Sequence, residues 1–237
     1  MRLDQAIAAR YPEISRRKAR ELIAAKCVLV NERLVAVASR HVAETDRIAI
    51  VEEAPPLHIL ALTDDWIAVN KPAGMPTQPA RDRSVRSLEE LLRLRYREIY
   101  LVHRIDTPTS GLVLFARGPA AAAWLSGLFA SGEIRKLYLV RVAPALAGEI
   151  RIETPVGGKA EVTIARPVSG GLIEAEIQTG RTHQIRIHLA SIGHPVCGDR
   201  RYGGAPAPRL MLHAWKLEHP ALGVLVAPPP KELSPPS

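Results

Sequence analysis

The sequence has two cysteines, Cys27 and Cys197, and neither belongs to a CxxC pair. That excludes a disulfide framework and leaves no zinc-like spacing, so both are expected to pack in the interior. No apolar run approaches the roughly 18 residues of a membrane-spanning helix, and the N-terminus lacks the apolar segment of a signal peptide. A cytoplasmic protein that meets no membrane is expected. The histidines show no HExxH pattern, so no metal site is expected. There is no GxGxxG or GxxxxGK[ST] loop to hold a dinucleotide or nucleoside triphosphate, and no GxSxG turn to present a serine nucleophile. A glycosidase pair needs a second carboxylate in a comparably marked setting, and none is found. Internal repeats and coiled-coil heptads are missing too, which makes a monomer the simplest expectation.

What is present is positive charge. The 237 residues carry 32 Lys and Arg against 24 Asp and Glu, a net charge of +8, with 47% hydrophobic residues. The apolar content suffices for one large core and a small appendage. So basic a protein is expected to meet a polyanion, with nucleic acid the first choice.

The opening stretch MRLDQAIAARYPEISRRKARELIAAKCVLVN predicts two short helices and a strand. Ser15 is a suitable N-cap, and Ala19, Leu22 and Ile23 give the second helix an apolar side. Arg16, Arg17 and Lys18 then fall in its first turn, where the helix dipole disfavours cations. A bound polyanion would offset that cost, while a solvated basic face would also account for the charges. Strands at VLVNERLVAV and DRIAIV follow, then EEAPPL, an acidic proline-containing linker at residues 52–57. Beyond it the pattern is mixed. WIAVNKP reads as a strand, SLEELLRLRYRE as a helix opened by a Ser87–Glu90 capping box, and PAAAAWLSGLFA as a second helix. KLYLVRV, EIRIE, AEVTIARPV and LIEAEIQ read as strands. RTHQIRIHLASIGHP alternates like a strand, but Ile185, Leu189 and Ile192 at i, i+4, i+7, stopped by Gly193 and Pro195, predict a helix. The final residues 227–237, rich in proline, are expected to be a disordered tail.

Three stretches hold the groups that could do chemistry. LVHRIDTPTSGLVLFAR, residues 101–117, contains His103, Arg104 and Asp106; RKLY contains Tyr138; TGRTHQIRIH contains Arg181, His183 and Arg186. In a turn-rich break Asp106 could serve the turn alone. An arginine within about 4 to 6 Å would instead keep such a carboxylate ionised, which suits a nucleophile. Tyr138, in an apolar strand, could be packing or a platform for a base.

These stretches, with TGRTHQIRIHLASIGHPVCGDRRYGG and IAVNKPAGMPT, resemble the RluA-type pseudouridine synthases over roughly residues 58–220. Residues 1–51 resemble the S-four type RNA-binding domain. The resemblance implies an α+β protein: a mixed, mainly antiparallel sheet with flanking helices at residues 58–226, joined to a small α+β RNA-binding domain at 1–51. It implies an isomerase that detaches uracil from the ribose and rejoins it through carbon 5, with no cofactor or metal. Asp106 matches the essential aspartate, Tyr138 the tyrosine that stacks on the base, and Arg186 the arginine that pairs with the aspartate. Arg104 and His103 would contact the RNA backbone, Arg181 and His183 the substrate, and Arg16, Arg17, Lys18 and Arg20 the RNA from the N-terminal helix. Lys71 is assigned to support of the fold or of a loop near the site. The partner implied is RNA, with ribosomal RNA first and transfer RNA the alternative; a non-catalytic RNA-binding protein of the same fold is the competing class.

Overall fold

The computed structural model describes residues 1–25, 27–31, 33–50, 57–80 and 86–234, with 33 and 34 described in their backbone only. At the N-terminus, α1 (Leu3–Arg10) and α2 (Arg16–Ala24) pack on a three-stranded antiparallel sheet of β1 (Val28–Val30), β2 (Arg33–Leu34) and β3 (Ile48–Ile50), ordered β2-β1-β3. Ser15 caps α2 by accepting from the Lys18 amide, and the stripe anticipated for that helix is real: Ala19 and Ile23 are buried against Leu3, Ile7 and Val28. The linker expected at 52–57 lies outside the described residues except for its last.

Among the described residues from 57 onward, ten strands form one sheet. Its strands are β4 (His58–Leu62), β5 (Trp66–Lys71), β6 (Ile99–Leu101), β7 (Ser110–Arg117), β8 (Arg135–Arg141), β9 (Ile150–Ile152), β10 (Thr163–Ser169), β11 (Leu172–Ile177), β12 (Leu212–His219) and β13 (Gly223–Val226). The order is β4-β5-β7-β12-β8-β11-β10-β9, with β6 beside β7 and β13 beside β12. Every pairing is antiparallel except β7 with β12, so the sheet is mixed and mainly antiparallel, as the resemblance implied. Three helices flank it: α3 (Leu88–Arg95), opened by the anticipated Ser87–Glu90 box, α4 (Pro119–Ser131) and α5 (Gln184–Ser191). The helical reading of QIRIHLAS holds because Ile185 and Leu189 share a face that enters the core beside Val140 and Ile173.

The parallel seam sets the position of everything that follows. At Gly111, φ is +117° and a Cβ would stand 2.2 Å from the Ala214 carbonyl oxygen. Only glycine lets β7 approach β12 this closely. The seam thereby joins the half of the sheet that carries β5 and β7 to the half that carries β8 and β11.

The C-terminal expectation needs correction. Through residue 234 the tail is packed: Ala227 and Leu233 are fully buried, Glu232 pairs with Arg209 at 2.9 Å, and its carbonyl accepts from Arg141. Prolines have little conformational freedom to lose, and Leu233 supplies an apolar anchor, so composition alone misjudged the segment.

Candidate active site

Asp106 stands in the connection between β6 and β7, and its neighbours are tied down. Thr77 Oγ1 donates to the Ile105 carbonyl at 2.7 Å, and the Thr109 amide donates to the Asp106 carbonyl at 3.0 Å. Behind the loop, the buried Lys71 ammonium donates to the carbonyls of Pro72, Met75 and Thr107 at 3.0, 2.6 and 3.2 Å. Burial pushes the Lys71 ammonium down to about 7, with the negative charge of Asp106 acting the other way. Lys71 is therefore a support of the loop, as its place in the sequence suggested.

The Asp106 carboxylate opens into a cleft between the two halves of the sheet. Arg186 Nη1 donates to it at 3.4 Å, and His183 Nε2 lies 3.6 Å away. Arg186 is only 7% exposed, and its firmest hold is elsewhere: Nε and Nη2 form a fork on Asp199 at 2.6 and 2.8 Å. Asp199 in turn accepts from the amides of Arg201 and Tyr202. Burial alone would raise the Asp199 carboxyl, but the Arg186 fork outweighs it and holds the group below the usual carboxylate range. Tyr202 closes the arrangement. Its ring lies 5.1 Å from the Arg186 guanidinium, and its hydroxyl is 3.0 Å from His183 Nδ1.

Tyr138, on β8, shares the cleft with Asp106, among Ile177, Ile185 and Leu212. Burial, helped by the Asp106 charge, raises its phenol above the ordinary value, so it presents a neutral ring. Arg104 is exposed at the lip, where a second lobe of about 290 Å3 continues past Thr77 and Gln78. Arg181 is at the rim, with Nε held by the buried Glu161 at 2.6 Å. His183, just before α5, has φ of +60°, a left-handed conformation that histidine tolerates better than most residues. Burial lowers its imidazole below the ordinary histidine value, against the pull of Asp106.

A model described as RNA pseudouridylate synthase matches residues 65–191, the span that holds Asp106, Tyr138 and Arg186. The chain belongs to that family. Its members are isomerases that convert uridine to pseudouridine in RNA, and a second model, the S4 domain, matches residues 1–48. Among curated relatives, an uncharacterized RNA pseudouridine synthase, YhcT of Bacillus subtilis, is 33% identical over 77% of this chain and 71% of its own length. The ribosomal large subunit pseudouridine synthase D of Nitrosomonas europaea is 30% identical over 95% of this chain and 79% of its own. The solved structure titled Human RNA Pseudouridylate Synthase Domain Containing 1 shares the fold, with a TM-score of 0.63 and 24% identity, covering 76% of this chain and 85% of that one.

In this synthase one expected contact is not available. The resemblance implies that His103 contacts the RNA backbone, but its Nε2 accepts from the Leu114 amide at 2.8 Å and its ring stacks on Phe129 at 4.2 Å. The strand that follows Asp106 turns His103 inward, so the ring fastens β7 instead of facing RNA. Burial pushes its pKa down to about 3, with Lys136 adding to the effect. His213 behaves alike: it is held between Ser110 Oγ and the Ala227 carbonyl, and burial takes it to about 4. Both rings stay neutral in the folded state while the unfolded chain takes up protons near pH 6.5. Their contribution to stability is therefore complete above pH 6.5 and shrinks as the pH falls towards 4. Denaturant midpoints measured from pH 7.5 to 4.5 are expected to decline, and His103→Gln to flatten part of that slope. An unchanged slope in the variant would mean that the ring is protonated where it lies.

Several functional neighbours carried no signal in the sequence. Asp199 and Tyr202 lie in the quoted CGDRRYGG stretch, yet nothing local marks an aspartate 13 residues after Arg186 as its partner. The cations of α2 also have protein partners that the sequence does not mark: Asp4 for Arg16 and, a turn later, Arg20, and Glu21 for Arg17 and Lys18 at 3.7 and 3.8 Å.

Proposed function

We propose that the synthase modifies large-subunit ribosomal RNA in the cytoplasm and that Asp106 is its nucleophile. The observation that carries the reading is the Asp106 carboxylate, a quarter exposed in a cleft shared with Tyr138, beside an Arg186 that Asp199 locks in place. A uridine inside a stacked helix is out of reach of such a cleft, so it must be extruded, at a cost of a few kcal/mol, and captured. Tyr138 offers the ring on which the uracil stacks. Arg104 at the lip takes a phosphate, Arg181 and His183 line the entry, and Arg186 orients the carboxylate. Arg16, Arg17, Lys18 and Arg20 hold RNA at residues 1–51, the segment joined through 52–57 to the catalytic residues 58–226.

The conversion needs no outside oxidant or reductant. The bond from N1 to the ribose carbon 1 breaks, the base turns, and a bond from carbon 5 to the same ribose carbon forms. The hydrogen on carbon 5 leaves as a proton, and N1 gains one. Support for the ribosomal target comes from the curated relatives named ribosomal large subunit pseudouridine synthase D. The test is release of tritium from RNA labelled at carbon 5 of uridine, with unmodified ribosomal and transfer RNA pools compared. Release from the ribosomal pool supports the reading, and release confined to transfer RNA moves the target there. Silence on both pools, with RNA binding intact, favours a binding protein of the same fold.

A further inference from the structure

Asp4 is fully buried, although it opens a helix in the small N-terminal unit, and three arginines converge on it. Arg2 Nε reaches Oδ1 at 3.0 Å and its Nη2 reaches Oδ2 at 3.3 Å; Arg16 Nε and Arg20 Nε reach Oδ2 at 3.1 and 2.9 Å. One negative charge thus gathers three positive ones. Two elementary charges remain unneutralised, and every guanidinium keeps N–H donors that the carboxylate does not use. The three side chains are 38%, 46% and 53% exposed while the carboxylate is hidden, so the cluster shows solvent only its cationic side.

Like charges held together repel, and a second anion on the open side relieves that repulsion. Guanidinium groups in a fixed array suit the tetrahedral oxygens of a phosphate better than mobile lysines do. Arg17, 92% exposed, and Lys18 extend the same surface along the first turn of α2. The Arg2 backbone is pinned as well, through a bridge to His41, so its side chain does not depend on α2 for its place.

We propose that Asp4 is a positioning residue that holds Arg2, Arg16 and Arg20 as a single three-armed site for an RNA phosphate. This rests on the reading that residues 1–51 bind RNA, and it adds Arg2 to the contacts and gives the only buried acid of that unit among the described residues a purpose. Phosphate contacts are blind to sequence. The site therefore strengthens the grip on any structured RNA, and it does not choose the uridine.

The decisive variant is Asp4→Asn in the full chain, because two accounts of it differ in sign. If the arginines act only through long-range charge, removing a negative group tightens RNA binding and steepens its salt dependence. If Asp4 aims them, affinity falls about tenfold, the scale of one charge-assisted hydrogen bond lost, and the slope of log K against log salt becomes shallower by about 1. Binding is measured by fluorescence anisotropy on a large-subunit ribosomal transcript and on an unrelated transfer RNA transcript. Weakening on both is expected; equal or tighter binding overturns the proposal. Should Asp4→Asn lose the folding transition of the N-terminal unit, Arg2→Lys decides, since it keeps the charge and loses the fork: weaker binding with a shallower slope supports the site, and wild-type binding overturns it. A wild type that shows no preference for the ribosomal transcript counts against the ribosomal target alone, because the variants' effect is read on either RNA.

Discussion

Asp106→Asn is expected to reduce tritium release from carbon 5 by about 10^4-fold or more, the scale of losing a nucleophile from a preorganised site. The substitution is nearly isosteric, so the tie from the Thr109 amide to the residue 106 carbonyl is kept, as is an oxygen that can accept from Arg186 at 3.4 Å. What disappears is the charge and the ability to form and break a bond. RNA affinity is expected to change only a few-fold, because phosphate contacts supply most of it and this carboxylate faces the cleft interior. Single-turnover release from a saturated complex separates the two effects. A variant that still released tritium within tenfold of the wild type would show that Asp106 is not the nucleophile.

The second large effect is expected at a residue that meets no substrate. Asp199→Asn removes the charge that fixes the Arg186 fork, and both groups are almost completely buried, at 1% and 7% exposure. Removing one member of such a pair leaves the buried cation with only its looser 3.4 Å contact to Asp106, a loss on the order of 3 kcal/mol. The guanidinium then has one anion left to seek, Asp106, and is expected to swing onto it. Activity should fall about 100-fold, a loss of roughly 2.7 kcal/mol in transition-state stabilisation. The denaturation midpoint should fall with it. A merely structural role would lower the midpoint while leaving single-turnover release unchanged at temperatures where the variant is fully folded. A positioning role lowers that release there too, and restoring the midpoint with a stabilising osmolyte does not recover it. Arg186→Lys is the companion: a single ammonium cannot reproduce the fork on Asp199 and also reach Asp106, so it should be nearly as inactive. Full activity in either variant would show that Asp106 needs no help from this pair.

Both predictions depend on distances that no local pattern encodes. The capping box at Ser87 and Glu90, the N-cap at Ser15 and the apolar face of α5 were legible because each acts within one or two turns of chain. His103 was misread for the complementary reason. In the motif HRID its neighbours Arg104 and Asp106 do face the cleft, and only the pairing of β6 with β7 and the approach of Phe129 from α4 turn the imidazole the other way. The tail was misread because composition reports what a segment could do alone, and Leu233 is ordered by a core that it joins from far along the chain.

By itself the sequence determined the family and the types of the elements that its periodicities and caps mark, and it singled out Asp106 as the candidate carboxylate, since long ordered motifs and short-range periodicities survive in one dimension. The strands β4, β12 and β13 carried no such mark. The tertiary structure alone decided what holds Arg186 at Asp106: the Asp199 fork and the Tyr202 ring beside it. A parallel seam that only Gly111 permits brings β7 against β12, and the cleft between the halves of the sheet puts Arg186 on Asp106 and Asp199 on Arg186. Contacts across tens of residues depend on strand order and register, which the whole buried surface chooses collectively and no short stretch specifies.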